Sequence, residues 1–122
     1  RATIVSSPLF ARPIQILLRE QNITATVVAP EAQDLAKSTR TADVLIVAVG
    51  QPGLITGTMV KPGAIVIDVG TTRTDAGLKG DVDFDSVAPI AGAITPVPGG
   101  VGPMTVAMLL VNILKAYSLQ RG

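Results

Sequence analysis

The sequence contains no cysteine, no histidine and no tryptophan, and its aromatic residues number three: Phe10, Phe84 and Tyr117. Without cysteine there is neither a disulfide nor a thiolate metal site. Without histidine, the commonest general base and the commonest zinc ligand are both missing. So few flat rings leave little for bases to stack on. Lysine and arginine are scattered, with a formal net charge of +1, so nucleic acid is not an expected partner. No apolar run reaches the ~18 residues of a membrane span, and no membrane partner is expected. The N-terminus does not read as a signal peptide. A reducing compartment, the cytoplasm or a mitochondrial matrix, fits the lack of cysteine. Arg1 leads almost directly into an apolar segment with no starting Met, as at a boundary within a longer chain.

What the sequence does have is Ala, Val, Ile and Leu in quantity. They make up most of a 48% hydrophobic content, the composition of strands buried on both faces of a parallel sheet. A chain of 122 residues is one domain with enough length to bury a core. Residues 2–5 read as a first strand ending at Ser6-Ser7-Pro8. A helix follows to about Gln21, with Pro13 in its first turn and Ile14, Leu17 and Leu18 at helical spacing. Residues 23–28 are β-branched and form a second strand, stopped by Pro30. Residues 31–39 form a short helix with Leu35 and Ala36 inward. Residues 43–50 (DVLIVAVG) are a central strand. One or two helical turns at most fit 56–60. Residues 64–70 (AIVIDVG) form a fourth strand, and the polar stretch 71–80 reads as a loop.

Asp85 is placed to cap a short helix over 86–91. A fifth strand, 94–97, runs into Pro98-Gly99-Gly100-Val101-Gly102-Pro103 and a helix to about Leu119. That helix sets Met104, Ala107, Met108, Val111 and Leu114 on one stripe, the pattern of a core face. Strands alternating with helices predict an α/β, Rossmann-like, doubly wound parallel sheet of about five strands in the order 2-1-3-4-5. Its ligand crevice should lie beyond the carboxyl ends of strands one and three.

The 98–103 loop is the most informative stretch. Three glycines and two prolines fix an unusual backbone path, clear of side chains, that ends at a helix N-terminus, where free N–H groups favour an anion. Gly50 and Gly70 end strands three and four on the same rim, where a ring or sugar can approach the backbone closely. The turn after strand one disappoints, because a dinucleotide fold usually carries glycines there and residues 5–13 have none. Ser6, Ser7 and Arg12 are the groups left to meet a phosphate, and Ser7 equally serves as a helix cap. Asp81, Asp83 and Asp85 alternate but lack the glycine and bidentate Glu of a calcium loop. They read as a solvated loop, and no metal is expected.

Several segments closely resemble the tetrahydrofolate dehydrogenase/cyclohydrolase family: TGTMVKPGAIVIDVG at 56–70, GDVDF at 80–84 and ITPVPGGVGPMTVAMLL at 94–110. Asp34-Leu35-Ala36 and Thr39-Arg40-Thr41-Ala42-Asp43 match as well. The resemblance covers essentially the whole chain, and its PVPGGVGPMT segment is long and specific. It implies that residues 1–122 are an NAD(P)-binding domain, with NADP or NAD as cofactor and a folate nearby in the complete enzyme. Pro98, Gly99, Gly100, Val101 and Gly102 would lie beside the folate and nicotinamide. The cofactor positions of the family fall on Val5, Ser6 and Ser7, on Ala29 and Pro30, and on Thr71, with Gly50 on the same rim. A homodimer is compatible with this reading.

The family's Gly-Arg-Ser turn is Val5-Ser6-Ser7 here, its His-Ser pair is Ala29-Pro30, and a second glycine is Ala11. Losing an Arg and a Ser removes charge-assisted hydrogen bonds worth roughly 1.5–3 kcal/mol each, so nucleotide affinity is expected to be weak or absent. The family's catalytic Lys and Tyr belong to an N-terminal domain. None of the lysines here lies in a Tyr-x-x-x-Lys context, so the chain contributes no catalytic residue and no turnover is expected from it alone. The competing reading, from another class, is a non-catalytic or redesigned Rossmann-like scaffold or dimerisation module that has lost its cofactor.

Overall fold

The computed structural model describes residues 1–121, so the last position of the 1–122 domain reading, Gly122, lies outside the described residues. Its centre is a five-stranded parallel sheet. Strands β1 (Ala2–Ser6), β2 (Ala25–Val28), β3 (Val44–Ala48), β4 (Ile65–Asp68) and the short β7 (Ala93–Ile94) lie in the order β2-β1-β3-β4-β7. This is the predicted 2-1-3-4-5 arrangement, with β7 as fifth strand. Every pairing in it is parallel, with Ile4 flanked by Val27 and Ile46. Both faces of the sheet are apolar. Val5, Val28, Leu45, Val47 and Val66 pack on one side with Ile55, Val60 and Val87, and Ile4 and Ile46 pack on the other with Ala11.

Helix α1 (Pro8–Glu20) covers the second face, and α2 (Leu35–Thr39) buries Leu35 against the first. Helix α1 starts at Pro8, so Pro13 lies inside it and not in its first turn. Ser7 caps the helix through its hydroxyl oxygen, which accepts from the Phe10 N–H at 3.3 Å. Helix α2 is four residues shorter at its start than the 31–39 expectation, because 29–34 runs as turns closed by Ala32 N–H to Ala29 C=O and Leu35 N–H to Ala32 C=O. One 3₁₀ turn (Gly57–Met59) fills 56–60. Helix α3 (Phe84–Val87) takes Asp83, not Asp85, as its N-cap residue, and it stops before Pro89.

Two further expectations fail. The 71–80 stretch is not a loop but an antiparallel hairpin of β5 (Thr72–Thr74) and β6 (Gly77–Lys79), pairing Thr72 with Lys79. Its strands are too short and polar to show a period-two pattern. The other failure is α4 (Val101–Arg121), which buries no residue, so the Met104–Leu114 stripe is not core in this chain. Leu109 and Ile113 on its other faces are as exposed as Met108 and Val111. An apolar residue on every side leaves no one stripe to dock. By length and composition alone α4 is also long and apolar enough to cross a membrane, the one such helix among the described residues. Asn112 and Lys115 interrupt its apolar run.

Candidate functional site

The carboxyl ends of the strands form a rim on which three hollows open. The first, about 410 Å³, lies where β1, β2 and β3 end. It is lined by Ser6, Ser7, Pro8, Ala29, Pro30, Glu31, Ala48, Val49 and Gln51. It therefore brings together the two sequence segments, 6–7 and 29–30, that the resemblance assigned to the cofactor. The second, about 200 Å³, is lined by Thr71 and by all of Pro98, Gly99, Gly100, Val101 and Gly102. Asp68, Leu78 and Val97 line both this hollow and a larger third one of about 560 Å³ under the hairpin. Thr71 and Gly99 thus share a hollow. Gly50 sits between Val49 and Gln51 at the edge of the first one.

Val5 is placed differently from its sequence reading. It is fully buried within β1, and its side chain joins the core with Val28 and Val47. Its bulk is turned away from any ligand and does not line the cleft.

The pyrophosphate end of the rim is poorly equipped. Pro8 has no N–H, and the Phe10 and Ala11 N–H groups are bonded to the Ser7 hydroxyl and carbonyl. Among the first-turn donors of α1, that leaves Leu9. The Ser6 hydroxyl is buried and donates to the Ser7 carbonyl. No Lys or Arg lines this hollow. A phosphate here would meet a helix end that already caps itself.

The β3 and β4 ends are held by two buried carboxylates. Asp81, fully buried, accepts from the backbone N–H of Val49 at 2.7 Å, Gly50 at 3.0 Å and Gln51 at 2.9 Å. Asp68, 3% exposed, accepts from Gly70 at 2.9 Å, Asp81 at 3.0 Å and Val82 at 3.0 Å. The Asp68 N–H in turn donates to the Thr95 hydroxyl. Burial pushes the Asp68 carboxyl above its ordinary 3.8; the three N–H donors oppose this, and the nearby Asp81 charge adds to it. The close fit depends on glycine, because a Cβ at Gly70 would run into the Asp81 carboxyl and one at Gly80 into that of Asp68.

Sequence reading missed this pair, having placed Asp81 in a solvated loop. The usable signal was each Asp lying within two residues of a glycine, in Asp68-Val69-Gly70 and Gly80-Asp81. Glu31, which lines the first hollow, was missed as well. Among the described residues no group of three or more acidic side chains is placed to hold a metal ion.

The profile of the family described as tetrahydrofolate dehydrogenase/cyclohydrolase, NAD(P)-binding domain, matches residues 1–121. A bifunctional protein FolD of Bordetella petrii is 56% identical over 118 residues, covering 96% of this chain and 40% of that protein. A FolD methylenetetrahydrofolate dehydrogenase/cyclohydrolase from Campylobacter jejuni superposes with a TM-score of 0.91 at 44% identity, over 98% of this chain and 43% of that one. The Trypanosoma brucei enzyme, solved in complex with NADP cofactor and inhibitor, gives 0.88 at 41% identity, over 98% of this chain and 44% of that one. The chain thus spans about two fifths of the length of these relatives.

Proposed function

Because the chain belongs to the tetrahydrofolate dehydrogenase/cyclohydrolase family and corresponds to its NAD(P)-binding domain, we propose that it serves as the cofactor half of a folate-dependent one-carbon enzyme. In the whole enzyme, hydride passes from 5,10-methylenetetrahydrofolate to the nicotinamide dinucleotide, and the methenyl product is then hydrolysed. The groups that do this chemistry lie outside this chain. Its own part is to hold the dinucleotide across the strand ends and to offer the 98–102 loop to the folate. The observation that carries the reading is the hollow shared by Thr71 and that loop, beyond the carboxyl end of a parallel sheet. We place the protein in the cytoplasm, or alternatively a mitochondrial matrix, with no nucleic-acid or membrane partner and with a homodimer as its assembly.

The residues fit the nicotinamide and folate side better than the pyrophosphate side. NAD and NADP are accordingly expected to bind with dissociation constants above about 100 μM by calorimetry. Amide shifts at Val49, Gln51 and Thr71 and in the 98–102 loop would locate the ligand. Shifts confined to other surfaces would overturn the assignment. A second reading, a scaffold that has lost the cofactor, is favoured by the self-capped α1 end, and an absence of any shift at millimolar nucleotide would support it.

Glu31 in the first hollow, with no basic residue beside it, suits a free ribose diol and opposes a 2′-phosphate. NAD should therefore outbind NADP. Glu31→Arg is expected to move the ratio of the two dissociation constants toward NADP by about tenfold, roughly one charge-assisted hydrogen bond. An unchanged ratio in competition binding would remove Glu31 from the specificity account.

A further inference from the structure

We propose that Asp81 is a positioning residue of the dinucleotide cleft: its carboxylate fills an anion nest at the end of β3, which fixes the rim in one shape and keeps phosphate off it. The proposal rests on the cofactor reading above, because it assigns a role within the same cleft.

Three successive backbone N–H groups converging on one point make a concavity that binds anions. Val49, Gly50 and Gln51 form such a nest, with Gly50 at φ +82° in its centre. Left open, it would be the natural place on this rim for a phosphate. Instead both carboxylate oxygens of Asp81 occupy it, Oδ2 on Val49 and Gly50 and Oδ1 on Gly50 and Gln51.

Asp81 itself cannot swing out. Its N–H is held by Asp68, its carbonyl accepts from Ile55 N–H at 3.0 Å, and Gly53 N–H donates to the neighbouring Gly80 carbonyl. The Asp83 N–H returns to the Ile55 carbonyl at 2.8 Å. The stretch 80–83 is therefore laced to 53–55, and the absent Cβ at Gly70 makes room for the carboxylate.

Two consequences follow for a ligand. The β3 rim presents a buried negative charge behind its backbone, so a pyrophosphate is turned toward the β1–β2 end of the hollow. Val49 and Gln51, which line that hollow, are held in place by a group that never touches the ligand. Asp81 acts through them and is not itself catalytic.

The test compares the full chain with Asp81→Ala and Asp81→Asn by amide NMR and nucleotide titration. In the unaltered protein, inorganic phosphate at millimolar concentration should leave the 49–51 amides unmoved; movement there would show the nest open and overturn the proposal, without need of any variant. In Asp81→Ala, NAD affinity should fall by about tenfold, and added formate should restore both the amide positions and the binding. A merely structural loss would not respond to formate. Asp81→Asn, with one acceptor oxygen, should lie between the two and gain little from formate. If the unaltered protein binds no nucleotide, the cofactor reading falls and takes the positioning role with it. If it binds and Asp81→Ala binds equally well, only the positioning role falls.

Discussion

Asp68→Ala should destabilise the fold by about 3–5 kcal/mol, the usual effect of removing one side of a buried charged network. Three backbone donors, on Gly70, Asp81 and Val82, lose their acceptor at once, and each buried N–H left unpaired costs about 1–3 kcal/mol. Water entering the space relieves part of that sum. For a domain whose total stability is of order 5–15 kcal/mol, the change is severe. Urea unfolding measures it, and a loss under about 1 kcal/mol would show that the segment reorganises freely.

The pH dependence carries its own sign. Asp68 has a folded value raised above 3.8, chiefly by burial. Its titration therefore favours the fold most below 3.8, and that contribution is lost as pH rises through the raised value. The deficit of Asp68→Ala relative to the parent should thus be larger near pH 4 than at pH 7. Gly80→Ala attacks the same contact from the other side, since its Cβ would strike the Asp68 carboxyl. Combined with Asp68→Ala it should cost less than the two single changes added together, because removing the carboxyl removes the clash.

The sheet was legible in the sequence because its signal is long and local. Residues 44–49 are an unbroken apolar run and 64–69 one broken by Asp68 alone, and one strand–helix pair between β1 and β3 sets the order. Element starts were less so. Pro13 suggested a first turn, but the other reading, Ser7 as the helix cap, is the one the structure bears out, with its hydroxyl accepting from the Phe10 N–H. The hairpin escaped because three-residue polar strands carry no period. Of the candidate site, the 98–102 loop and Thr71 do share a hollow, as do Ser6, Ser7 and Pro30. Each is marked by a glycine, a proline or a strand end. Val5 and Asp81 were misplaced for one reason: burial of a side chain near a strand end depends on neighbours far along the chain. Asp81 meets Val49 across 32 positions, and no local pattern reports that.

Helix α4 supplies the other large expectation, self-association of the chain through its exposed apolar surface. Ten large apolar or aromatic side chains on it are exposed, from Met104 to Leu119, with Leu110 and Leu114 at 59% and 68%. Burying each such side chain is worth roughly 1.5–3 kcal/mol, so a handful of them exceeds the lower estimates of the association penalty, which run from about 4 kcal/mol upward. Sedimentation equilibrium should show a mass that rises with concentration. Leu110 and Leu114 are four positions apart on one face, so Leu110→Asp combined with Leu114→Asp should return the chain to a monomer. Because α4 contributes no buried residue to the sheet, the same pair of changes should leave the melting temperature of the sheet, followed at low concentration, within about 3 °C of the parent. A fall of 10 °C or more would mean that α4 packs on the sheet and would overturn the expectation.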